Sequence, residues 1–255
     1  FKSRTRGYKM SKPADLAVTP DGFSFISDRA YGRHIVLDST GQFSHYFYLR
    51  QKSESPFDYP KIVKFKNNKI YTVDDKNTVL VHSKEGKEQL SFSVEYDVYD
   101  LTVDQQEFVY VLTPADSFRL HKYSPEGNEL LKFSPQEEDN SQVWSILSRG
   151  YIDVDSKGNV YYSLESPYKI IKYSPQGMPL LSFTRKLPVE YTPPTINERK
   201  GKIMTVFRDS IVLIYKYHGI ILFFHFVKLG ECMAATPLIC TIRKGSFCNQ
   251  SIYLV

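Results

Sequence analysis

One four-strand phrase recurs along this chain, and each copy turns on a glycine at the same place, at positions 41, 86, 127 and 177. The first copy reads Pro13 to Gly22, Phe23 to Asp28, His34 to Gly41 and Gln42 to Phe47. The second reads Pro60 to Phe65, Lys69 to Val73, Thr78 to Gly86 and Lys87 to Phe92. In the third and fourth copies the phrases Tyr123-Ser-Pro-Glu-Gly127 and Tyr173-Ser-Pro-Gln-Gly177 nearly coincide. The glycine intervals of 45, 41 and 50 residues are too long for leucine-rich repeats and suit one blade of a β-propeller. Apolar and polar residues alternate at period two, with Gly, Asn or Asp wherever a hairpin wants a positive φ.

The repeat predicts blades over 13–47, 59–93, 98–134 and 148–187, each with strands a to d. Past residue 198 the phrase weakens. Lys202 to Phe207, Ile211 to Tyr217, Ile220 to Phe226 and the Gly230 turn fit a fifth blade over 200–243. Residues 244–255, ending in the b-like Ser251 to Val255, fit part of a sixth. The expectation is a single all-β propeller domain over 1–255, built of four-stranded antiparallel blades.

Composition agrees. Tyr (19) and Phe (17) dominate an aromatic share of 15%, which suits half-buried strands. The formal net charge is +5, but the basic residues are scattered and form no stripe of the kind nucleic acids need. Cys232, Cys240 and Cys248 have neither CxxC nor Cys/His spacing and read as thiols without a disulfide framework or zinc site. The apolar run 211–227 carries Lys216, His218 and His225, costly in hydrocarbon, and reads as two strands joined at His218-Gly219. Phe1 in place of Met implies that an N-terminal segment has been removed.

The phrases Ala17-Val-Thr-Pro-Asp-Gly22, Val154-Asp-Ser-Lys-Gly-Asn-Val-Tyr161 and Lys169-Ile-Ile-Lys-Tyr-Ser-Pro-Gln-Gly177 resemble NHL repeats and their six-bladed bacterial relatives of extracytoplasmic type. The resemblance covers residues 13–183. It implies a fold and favours a periplasmic, surface or secreted setting, but no single activity. Such propellers bind ligands, dock proteins, hold RNA or catalyse.

In a four-stranded antiparallel blade the b–c and d–a connections leave at one end and the tight a–b and c–d turns at the other. The d–a connections are the long ones, and long loops on a rigid scaffold are where binding usually resides. The binding residues expected on that face are Tyr31, Arg33, Asp75, Arg119, Trp144 and Tyr168, of types enriched at interface hot spots or charged. The function that follows is non-catalytic recognition of a protein, peptide or glycan, with no cofactor.

The resembled superfamily also includes propeller hydrolases and lyases that hold a metal ion. Here the a strands offer Asp15, Asp100 and Asp153, read at one register, as the metal candidates. RNA binding, known among NHL propellers, is the third alternative. Asp153-Val-Asp-Ser-Lys-Gly158 is a hairpin and no calcium loop, since Lys157 stands where an oxygen ligand is needed. No G-x-S-x-G, P-loop or G-x-G-x-x-G occurs. His34, His82, His121 and His225 fall in or beside c strands and read as blade architecture. The Asn249-Gln-Ser251 sequon overlaps a proposed strand and carries no weight.

Overall fold

The computed structural model describes residues 9–50, 59–113, 116–135, 150–164 and 169–184, together with the backbone of strands between 195 and 247. Four antiparallel sheets of four strands carry the repeat. The first pairs β1 (Pro13–Val18), β2 (Ser24–Asp28), β3 (Arg33–Leu37) and β4 (Phe43–Tyr48) in that order, and the second β5 (Pro60–Lys66), β6 (Lys69–Asp74), β7 (Thr78–Ser83) and β8 (Glu88–Ser93). The third contains β9 (Asp100–Val103), β10 (Val109–Leu112), β11 (Phe118–Tyr123) and β12 (Glu129–Pro135). The fourth contains β13 (Gly150–Val154), β14 (Val160–Leu164), β15 (Lys169–Tyr173) and β16 (Pro179–Phe183). These four sheets are the blades of a β-propeller. Apart from strands, the described residues hold one three-residue 3-10 turn, Arg29–Tyr31.

Two compact units divide the chain: Phe1–Tyr110 with Lys122–Leu130, and Val111–His121 with Leu131–Val255. In the first, β1 runs beside β5 and β5 beside β9, so the a strands of three blades are neighbours. In the second, β13 runs beside β19 (Ser210–Tyr217).

The turns explain why the phrase repeats. Each c–d turn is closed by a glycine N–H donating to the carbonyl three residues back: Gly41 to Asp38, Gly86 to Ser83, Gly127 to Ser124 and Gly177 to Ser174. The glycines sit at φ between 78° and 86°, a region costly for any residue with a Cβ. The opening Asp or Ser accepts backbone N–H bonds through its side chain, as Asp38 Oδ1 does from Thr40 and Gln42, so the turn carries its own cap. Three of these glycines also receive a phenylalanine from the d strand of the blade before. A Cβ would collide with Phe47 at Gly86, with Phe92 at Gly127 (2.6 Å) and with Phe133 at Gly177 (2.8 Å).

Packing between blades 1 and 2 centres on Phe25, Val36, Phe47, Val63 and Ile70, with Phe25 edge-on to Phe47 and stacked on Phe65. Every residue of β10 is buried, and each fully buried aliphatic side chain contributes roughly 1.5–3 kcal/mol.

Over 200–243, where the sequence suggests one further four-stranded blade, the pairing is distributed among three sheets. β17 (Thr195–Arg199) pairs with β18 (Lys202–Val206). β19, β20 (Ile220–Leu229) and β21 (Cys232–Ile239) form a three-stranded sheet. β22 (Ile242–Arg243) pairs with β23 (Ser246–Phe247). β18 pairs with β17, and the strand beside β13 is β19. The apolar run 211–227 is an antiparallel strand pair, with Tyr217 opposite Ile220 across the His218-Gly219 link. No helix among the described residues is long and apolar enough to cross a membrane. Ser251 to Val255 lie outside the described residues.

Candidate functional site

The a strands of the first three blades carry a charge ladder. Asp15 Oδ1 accepts the N–H of Leu16 and its Oδ2 accepts the N–H of Val63 on β5, both at 2.8 Å. Asp100 Oδ1 accepts the N–H of Leu101 at 2.9 Å and lies 3.2 Å from the Lys64 ammonium. Burial lifts the Asp15 carboxyl above its ordinary value, against the pull of Lys64 and the two N–H donors. The expected common register of Asp15, Asp100 and Asp153 does not hold. Hairpin bonds at Thr19, Asp104 and Asp155 set the frame, so Asp15 and Asp100 stand four residues before the turn and Asp153 only two. The Lys64 ammonium already answers the Asp100 charge, and its field also reaches Asp15.

Arg33, expected on the binding surface, is turned inward. Its guanidinium is buried, pairs with the buried Asp28 at 3.4 Å, and lies between the rings of Tyr31 (4.6 Å) and Tyr46 (4.7 Å). It also donates to the Lys9 carbonyl, while Asp28 Oδ1 accepts the N–H of Ser11 and of Lys12. The N–H of Arg29 adds a bond to the Lys12 carbonyl. Together these contacts pin residues 9–12 onto the b–c connection of blade 1.

That pinning builds one wall of a cleft of about 570 Å³ at the entry ends of β1, β5 and β9, on the face where the d–a and b–c connections meet. Lys12 and Arg29 line this wall, and their side-chain charges have no hydrogen-bond or ion-pair partner among the described residues. Pro13, Ala14 and Ile62 contribute apolar surface. The opposite wall is Asp97, Val98 and Tyr99, fixed by Asn77. Asn77 takes a left-handed φ of 61°, accepts the N–H of Val98 on its side chain and that of Val94 on its carbonyl, and shares Oδ1 with Lys61. Lys61 Nζ also lies 2.9 Å from the half-exposed Asp97 carboxylate.

The remaining expected residues do not join this cleft. Tyr31 is exposed, covering Arg33. Asp75 is half-buried and accepts the N–H of Tyr59. Arg119 is buried at the start of β11, near the acceptor network of Asp116, whose Oδ2 lies 3.0 Å from His121 Nε2 and 3.3 Å from Lys132 Nζ. Trp144 and Tyr168 lie outside the described residues. The three buried histidines occupy three registers, each with its own partner: His34 with Thr72, His82 with the Leu49 carbonyl and His121 with Asp116.

Sequence reading missed Lys12, Arg29, Lys61 and Asp97. The available signal was a basic residue next to the proline that opens each of two successive a strands, Lys12-Pro13 and Pro60-Lys61.

No family model and no curated protein sequence matches the chain. Its fold is similar to that of virginiamycin B lyase from Staphylococcus aureus, with a TM-score of 0.53 and 13% identity over 88% of this chain and 69% of that one. A putative exported protein from Bacteroides fragilis aligns with a TM-score of 0.56 and 12% identity over 92% of this chain and 73% of its own length. AztD from Citrobacter koseri aligns with a TM-score of 0.52 over 69% of this chain and 47% of that one, at 12% identity. At such identities the shared property is the propeller fold.

Proposed function

We propose that this chain is a non-catalytic binding propeller of NHL-like, six-bladed type that captures a protein, peptide or glycan at the cleft between the entry ends of β1, β5 and β9. The observation that carries this reading is the pair of cations, Lys12 and Arg29, whose side chains have no partner among the described residues and which stand on a wall that buried contacts have fixed in advance. Preorganised polar groups in a partly apolar concavity are the usual make-up of a ligand site. The fold is shared with a lyase and with an exported protein, so fold alone favours neither chemistry nor binding. Lys64 supports the binding side, since its ammonium pairs with Asp100, a carboxylate that a metal-dependent enzyme would keep for the ion.

The test is an array of peptides and glycans presented to the purified protein, followed by side-chain footprinting with the captured ligand. Protection is expected at Lys12, Arg29 and Tyr99. Protection confined to the c–d turns, turnover of the ligand, or salt-dependent capture of single-stranded RNA in its place would overturn the reading.

A further inference from the structure

We infer that the cleft takes a short acidic peptide segment, with a carboxylate against Lys12 and Arg29 and the neighbouring aliphatic side chain against Ile62 and Tyr99; this rests on the reading that this face is the binding face. The charge balance of the walls is the first reason. Of three cations, Lys61 alone has a counterion among the described residues, Asp97, which leaves two positive charges there for an anion to answer. A guanidinium beside an ammonium also supplies both planar and point-charge donors, which a carboxylate accepts with two oxygens.

The apolar remainder of the lining narrows the class. A chain of phosphates would meet aliphatic wall beyond the first contact, and a sugar ring would find few acceptors opposite its hydroxyls. A peptide alternating acidic and aliphatic residues satisfies both surfaces. The volume, about 570 Å³, falls within the range of roughly 300–1,000 Å³ typical of sites for small ligands.

Lys61 adds a second element. Its ammonium is shared between Asn77 Oδ1 and Asp97 Oδ1, both at 2.9 Å, and Asp97 is 61% exposed, so a ligand carboxylate competes with Asp97 for the same donor. Removing the Asp97 charge frees Lys61 for the ligand.

Calorimetry with two blocked peptides, Leu-Glu-Leu-Glu and Leu-Gln-Leu-Gln, tests this. The glutamate peptide is expected to bind at least about tenfold more tightly, and the double variant Lys12→Gln with Arg29→Gln to lose at least about tenfold. The variant Asp97→Asn is expected to bind the glutamate peptide more tightly than the parent, which a merely structural role for Asp97 would not produce. Equal affinity for the two peptides, no loss in the double variant, or equally tight binding of inorganic phosphate overturns the inference while capture at this face stands. A footprint away from Lys12 and Arg29 overturns both.

Discussion

Blades 1 and 3 share one register and differ in what covers their leading sides. Leu16 and Leu101 each stand three residues before the a–b turn, yet Leu16 is 53% exposed and Leu101 is fully buried. Val18 and Val103, one residue before the turn, repeat the contrast at 53% and 5%. The c–d glycines do the same. Gly41 has nothing within 4 Å of a Cβ position, whereas Gly86, Gly127 and Gly177 each meet a phenylalanine from the preceding blade. Backbone conformation is common to all four turns, so the contrast isolates packing between blades from the demands of the turn itself. It teaches that the repeat phrase encodes an interlock as well as a blade, and that blade 1 presents the receiving half of that interlock without an insert among the described residues.

The comparison can be broken at several points. Leu101→Ala empties a buried site and is expected to cost about 2–5 kcal/mol, read as a lowered urea midpoint. Gly86→Ala combines a left-handed φ with overpacking against Phe47 and should cost about 2–5 kcal/mol; the double change with Phe47→Leu should return part of that loss. A loss at Gly86 no greater than at Gly41 would refute the interlock.

Acid supplies a subtler probe of the covered side of blade 1. Burial, with a lesser contribution from the His82 charge, pushes His34 down to about 3, and its Nε2 bonds Thr72 of blade 2 at 2.8 Å. Its folded value lies below the unfolded one, near 6.5, so the unfolded chain binds the extra proton between those limits. The stability owed to neutral His34 is therefore fully present above about 6.5 and declines as pH falls towards 3. A urea midpoint measured across that window should fall, and His34→Gln should flatten the slope.

The smallest effects belong to the open side. Gly41→Ala should cost about 1–2 kcal/mol from φ alone, and Leu16→Ala about 0.5 kcal/mol or less, both by urea unfolding.

The same contrast separates what the sequence could tell from what it could not. Blade length, strand order and the glycine turns are local properties: alternation, Ser or Asp at the turn start and Gly three residues on are written within ten residues of one another. The four regular blades were legible for that reason. The cleft is not local. Lys12, Arg29, Lys61 and Asp97 come from four sequence regions and meet only because Asp28, Arg33 and Asn77 hold their loops. Arg33 was selected by residue type, but a buried Asp28 and two tyrosine rings draw it inward, so it positions the wall without lining it. Sequence spacing alone puts Asp153 level with Asp15. The a–b turn hydrogen bonds, absent from any composition or spacing, moved it by two places.

Lys64 has a consequence for redesign. On β5 its ammonium serves as a resident counterion for Asp100, and its charge reaches Asp15 as well. Exchanging that one side chain for methionine would leave the Asp100 carboxylate without its cation and Asp15 without the charge that opposes its burial.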